Sequence, residues 1–122
     1  MADVQAALRA ACAKLGDDEA IQLLENKLIM GSSPERKEAL GEIRYIDRAE
    51  WIPKVVPLLN DRSVAHQYPK GPAKIRIRVC DYAVTTLIGI DHGRQFSIEP
   101  QGSHAYPDKA IDRVREMYGV KE

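Results

Sequence analysis

Six basic or potentially basic residues crowd one short stretch: Arg62, His66, Lys70, Lys74, Arg76 and Arg78, with Tyr68 among them. Cationic side chains gathered in this way suit an acidic partner or a phosphate group. The same residues also suit a solvated loop whose charges are balanced by acids elsewhere, and a formal net charge of zero favours that second reading. A second set has the ingredients of a nucleophile and its base: Cys80, Asp81 and the three histidines His66, His92 and His104. Nothing in their spacing brings them together. Cys80 falls within the most apolar helical pattern, where a thiol without a cationic neighbour is inert. Asp81, in the same pattern, is expected to hydrogen-bond the backbone of a neighbouring loop. His92 and His104 have no recognised ligand spacing, so neither a metal nor a cofactor is expected. The sequence contains no Gly-rich phosphate loop, no GxSxG and no HExxH, and it reads as that of a non-enzyme.

Composition narrows the classes further. At 122 residues the chain has the length of one domain. With 44% hydrophobic and 30% charged residues it is globular in character rather than disordered. A protein that grips bare duplex nucleic acid usually carries a surplus of Lys and Arg, and here 18 basic residues meet 18 acidic ones. Cys12 and Cys80 do not make a disulfide framework; both are expected to be buried, reduced thiols. No signal-peptide pattern and no apolar run of about 20 residues is present, so a cytoplasmic protein without membrane contact is the default expectation.

The elements that must position these residues read as helices. Val4, Leu8, Ala11 and Leu15 form one stripe, predicting a first helix over 2–15. Ala20, Ile21, Leu24 and Leu28, with Leu23 beside them, predict a second. A third runs from about Pro34 to Ile46, capped either by Ser33 or by Ser32 with Glu35 completing a capping box. Gly41 in its middle suggests a close helix–helix contact. A fourth is expected over Glu50 to Asn60, bent by Pro57. Val64 to Lys74 is expected to be irregular because Pro69, Gly71 and Pro72 break regular structure. A fifth helix, about Ile75 to Ile90, is apolar on nearly all sides and should be central. Residues 91–106 read as a second long loop and Pro107 starts a last helix. Within this order Glu38–Asp47 overlies Tyr82–Asp91, with Ala39/Ala83, Leu40/Val84, Ile43/Leu87, Ile46/Ile90 and Asp47/Asp91 in register, which suggests a duplicated helical unit.

Two further segments carry a family resemblance. Val56-Pro-Leu-Leu-Asn-Asp61 is similar to the end of the first helix of a HEAT repeat, and Pro34-Glu-Arg-Lys-Glu-Ala-Leu-Gly-Glu-Ile43 resembles the second helix. Asp61 and Arg78 stand where the family has its Asp and Arg. The resemblance implies an all-α fold, a right-handed α-α superhelix of about six helices with two long loops. It places repeats at about 17–46 and 49–90 within a single 1–122 domain, with covering helices at 2–15 and 107–118. The sequence departs from the family by an insertion of about a dozen residues, Arg62 to Lys74, where a tight turn is usual. What the resemblance implies for function is a scaffold or interaction module for another protein, with no catalytic site. The alternative is a nucleic-acid or phosphate-binding repeat domain using Arg62, Lys70, Lys74, Arg76 and Arg78. Exposed apolar repeat ends would also permit a homodimer.

Overall fold

Gly31 and Ser32 separate two helices that pack on each other. The first, α1 (Asp18–Met30), opens on Asp17, whose carboxylate accepts the Ala20 amide at 2.9 Å. Asp18 and Glu19 add negative charge at the positive end of its dipole. It stops at Gly31, where a Cβ would lie 2.3 Å from the Lys27 carbonyl oxygen, so only glycine fits. The second, α2 (Ser33–Ile46), starts from a capping box on Ser32. The Glu35 amide donates to the Ser32 hydroxyl at 3.4 Å, and the Ser32 amide donates to the Glu35 carboxylate at 3.1 Å. Of the two starts the sequence allows, the Ser32 cap is adopted, and Pro34 stays in the first turn.

The computed structural model describes residues 8, 11–96, 98 and 105–120, without the side chain of Lys70. The expected first helix therefore lies partly outside the described residues; 11–14 are helical. His104, with Pro100 and Gly102, lies outside them as well. After α2 the chain makes a 3₁₀ turn (Ala49–Trp51), a single α-turn α3 (Ile52–Val55) and a second 3₁₀ segment (Val56–Asn60). The expected continuous fourth helix is thus broken into three pieces. Pro57 lacks the N–H that an α-helical ladder needs, and the chain tightens to 3₁₀ there.

The largest departure follows. The all-α superhelix is wrong: an antiparallel hairpin of β1 (Val64–Lys70) and β2 (Ala73–Arg78) interrupts the helices. The predicted irregular loop is its first strand, and the predicted fifth helix loses its first four residues to its second. Helix α4 runs only over Val79–Ile90, and α5 over Asp108–Met117 follows. The physical reason is periodicity: Ile75, Ile77 and the basic residues between them alternate with period two, which suits a strand, whereas Val79 onward is apolar all round. Gly71 supplies the turn, with φ +61, and Pro72 follows with its fixed negative φ, the signs of a type II′ hairpin.

The core forms around α4, nine of whose twelve residues are buried. It packs against α2 and the Val56–Asn60 segment, and α1 covers α2. The overlaid positions of α2 and α4 share burial as well as residue type. Ala39, Leu40, Ile43 and Ile46, and Ala83, Val84, Leu87 and Ile90, are all buried. Asp47 and Asp91 each stand at the C-cap of their helix. Each large side chain so buried contributes about 1.5–3 kcal/mol. Gly41, expected at a helix contact, is exposed with nothing near it; the close approach is at Gly89, whose Cβ would meet Arg44 at 3.1 Å. Trp51 is buried in this core. No helix among the described residues is long and apolar enough to cross a membrane.

Candidate binding surface

The hairpin is held at its base and exposed at its tip. The Val79 amide donates to the Ser63 carbonyl at 2.9 Å and the Cys80 amide to the Asp61 carbonyl at 2.8 Å, continuing the pairing into the start of α4. Ala65 and Ile77 are buried beside the helices, while Pro69, Gly71, Pro72, Ala73 and Lys74 are exposed. Register sets which side chains share a face. His66 lies opposite Ile77 and Tyr68 opposite Ile75; Gln67 lies opposite Arg76 and Pro69 opposite Lys74. Opposed residues of an antiparallel pair project to one face, and neighbours along a strand project to opposite faces. Lys74, Arg76 and Gln67 therefore form one face, and His66 and Tyr68, with ring centroids 5.9 Å apart, the other.

The residues singled out as a basic patch are thus divided. Lys74 and Arg76 are exposed and form no ion pair among the described residues. His66 is exposed and Tyr68 half-buried on the opposite face. Arg62 is exposed at the hairpin base, where its charge acts on Asp108 and Cys80. Lys70 ends β1, next to the turn.

Arg78 does not belong to the surface at all. Its guanidinium donates to both oxygens of Asp81 at 3.2 Å, to Asp108 at 2.6 Å and to the Tyr106 carbonyl at 3.0 Å. Asp81 is 1% exposed and also accepts the amides of Arg78 (2.8 Å) and Tyr106 (2.9 Å). The expectation that Asp81 hydrogen-bonds a loop backbone is met by Tyr106. Hydrogen bonds donated to Asp81 push the Arg78 pKa up further, so it is a permanent cation committed to this node.

Charge is distributed unevenly along the chain. Residues 62–80 hold five of the 18 Lys and Arg and none of the 18 Asp and Glu. The chain is neutral as a whole but carries a basic hairpin on a body with a matching acidic excess. Gln67 has no charge to mark it in the sequence, and the period-two register places it on the cationic face.

Other concave regions offer less charge. A groove of about 500 Å³ between α1 and the proline-rich turns is lined by Leu28, Ile29, Pro57 and Leu58, with Arg36 and Lys54 at its edge. Both cations are already committed: Arg36 to Asp61 and to the Ile29 carbonyl, each at 2.6 Å, and Lys54 to Glu25. Leu15, Leu23, Ile29 and Met30, read in part as core, are exposed because the faces they occupy meet no described element.

Among the described residues the nucleophile-base set does not assemble. Burial, followed by the Asp81 charge, pushes the Cys80 thiol up to about 11, against the opposing pull of Arg78 and Arg62. His92 sits beyond the far end of α4, its ring nitrogen 2.7 Å from an Asp47 oxygen. A twelve-residue helix spans about 18 Å, too far for a nucleophile and its base to meet. Among the described residues no group of three or more His, Cys, Asp or Glu could hold a metal. Cys12 corrects the expectation of two buried thiols, since it is exposed while Cys80 is fully buried. A thiol reagent at neutral pH is expected to label one cysteine quickly in the folded protein and the second only after denaturation. Mass spectrometry of the labelled peptides checks this, and rapid labelling of Cys80 would show that α4 opens.

Three carboxylates make the fold acid-sensitive. The Ser32 amide and hydroxyl hold Glu35 below its usual range, and the Arg78 guanidinium does the same for Asp108. For Asp61 burial pushes upward, but the hydroxyl and amide of Ser63 together with Arg36 outweigh it and lower the pKa. A depressed carboxylate contributes stability above its unfolded pKa of about 4 and loses it as pH falls through the folded value. Thermal melts should therefore show the contribution of these groups intact at pH 5–7 and falling below about pH 4. Asp61→Asn should flatten that fall.

Comparison of the chain with protein-family models, with curated proteins and with solved structures finds no match.

Proposed function

We propose that this protein is a non-enzymatic interaction module that binds another protein through the basic hairpin. The observation that carries the reading is the face of Lys74, Arg76 and Gln67: exposed cations without an ion-pair partner among the described residues, in a stretch that contains no acid. Almost every other charged or reactive group considered above is occupied. Arg78 and Asp81 join the hairpin to α4 and α5, Arg36 and Lys54 are paired, and Cys80 is buried and protonated. The sequence resemblance of residues 34–43 and 56–61 to HEAT-repeat segments points to the same class of role. Zero net charge and a face with only two described cations on the hairpin favour a protein over nucleic acid, which takes affinity from many phosphate contacts at once.

The test compares the wild-type chain with a Lys74→Glu/Arg76→Glu variant as bait in cell extract at about 0.15 M salt. A protein recovered by the first and lost by the second is the expected result. Recovery that is abolished by nuclease would transfer the surface to nucleic acid. Equal recoveries from both baits would remove it from the hairpin.

A further inference from the structure

The hairpin offers more than charge, because one of its edges is unpaired. Among the described residues the sheet has two strands. β1 packs along α2, whereas the main neighbours of β2 are β1 and the start of α4, so the open edge belongs to β2. The irregularity in the pairing, between Val64 and His66, lies in β1 and leaves Ala73–Arg78 as a continuous, unbulged and proline-free strand. Bulges, prolines and short length are among the devices that blunt an edge, and β2 shows none of these; the charges it does carry, Lys74 and Arg76, repel a like strand and attract an acidic one. A two-stranded ribbon is only marginally stable, and a third strand would complete a more stable sheet.

Resting on the reading that the hairpin is the binding surface, we infer that the outer edge of β2 takes up an extended acidic segment of the partner as a third strand, with its carboxylates on the face of Lys74 and Arg76. Lys74 and Arg76 are two residues apart, about 6.7 Å along a strand, and carboxylates at every second position of an extended peptide repeat at the same interval. Residues on neighbouring strands then face each other at about 5 Å, within reach of an ion pair. An acidic helix would match the charges less well and would leave the N–H and C=O groups of the edge unpaired. A second copy of this chain is disfavoured as the occupant, since β2 against β2 would set Lys74 and Arg76 against like charges.

The probe is a blocked peptide of about nine residues, near the length of a long strand, alternating Glu and Thr. It is prepared unmodified, with N-methyl groups on the Glu amides alone, or with N-methyl groups on the Thr amides alone. In an extended strand, alternate residues turn their N–H and C=O groups to the same neighbour. One methylated peptide should therefore lose roughly a hundredfold in affinity, about 2.8 kcal/mol, through its several lost hydrogen bonds, and the other should bind within about twofold of the unmodified peptide. Fluorescence anisotropy reads the affinities, and amide chemical shifts should move along Ala73–Arg78. Lys74→Glu/Arg76→Glu, whose side chains are exposed, should abolish binding without altering the circular dichroism spectrum. If both methylated peptides bind as well as the unmodified one, the third strand is overturned while the charged surface stands. If none of the three binds, or if a single-stranded oligonucleotide binds more tightly with a steep salt dependence, both fail.

Discussion

Arg78→Ala is expected to destabilise the protein by about 3 kcal/mol, lowering the melting temperature by about 10 °C. The magnitude follows from what is left behind. Asp81 is 1% exposed, and deleting the guanidinium strips it of its only ion-pair partner among the described residues. Breaking a buried pair from one side costs about 3–5 kcal/mol, because the remaining charge stays desolvated. The lower end applies here, since the amides of Arg78 and Tyr106 would still donate to Asp81. The substitution also frees Asp108 at the start of α5 and the Tyr106 carbonyl, so the loss should concentrate where hairpin, α4 and α5 meet. Native-state hydrogen exchange should show faster exchange at Tyr106 and through Asp108–Met117 than in α1. Arg78→Lys should recover only part of the loss, because an ammonium cannot span both Asp81 oxygens and Asp108 in the planar geometry of a guanidinium. A cost under about 1 kcal/mol would mean that water replaces the guanidinium freely and that the node is weakly coupled.

Much of the fold was legible where one local rule acts alone. Ser32, Pro34 and Glu35 announce the start of α2, and the capping box forms as such a triplet requires. The correspondence of Ala39, Leu40, Ile43 and Ile46 with Ala83, Val84, Leu87 and Ile90 identifies two buried stripes before any coordinate is seen. The hairpin was obscured because two periods meet without a break at Arg78–Val79. Ile75 and Ile77 alternate with basic residues, Val79 onward is apolar on every side, and read together they imitate one long helix. Gly71 and Pro72 were read as breakers, although a two-residue loop between two extended runs is also how a hairpin turns. The residues of the candidate site were visible as a basic cluster, but their division was not. That Arg78 turns to Asp81 while Arg76 faces solvent comes from the end of the strand, where Arg78 is the N-cap of α4 and Asp81 lies one turn into that helix.

Leu87→Ala should cost about 3–5 kcal/mol, at least as much as any single surface change, and the contrast with Leu15→Ala separates two readings of the N-terminal end. Leu87 is fully buried in α4, at the position equivalent to Ile43 of α2, in a helix enclosed by α2 and the Val56–Asn60 segment. Truncation there removes the transfer free energy of the lost carbons and leaves a cavity that a helix held on several sides cannot collapse. Against a total stability of about 5–15 kcal/mol for a domain, that loss is a large fraction. The urea midpoint should fall with little change in the slope, the mark of a weakened but still compact native state. Leu15, 87% exposed in the isolated chain, should instead change stability by no more than about 0.5 kcal/mol. The sequence places Leu15 on an apolar stripe, and an exposed leucine beside Tyr45, itself 56% exposed, is an apolar surface that a second copy could cover. If Leu15→Ala proves costly, and more so as protein concentration rises, that end is covered in solution by a second copy, because mass action ties such a loss to association. A small, concentration-independent effect would leave the end open and the hairpin as the surface that the fold presents to its partner.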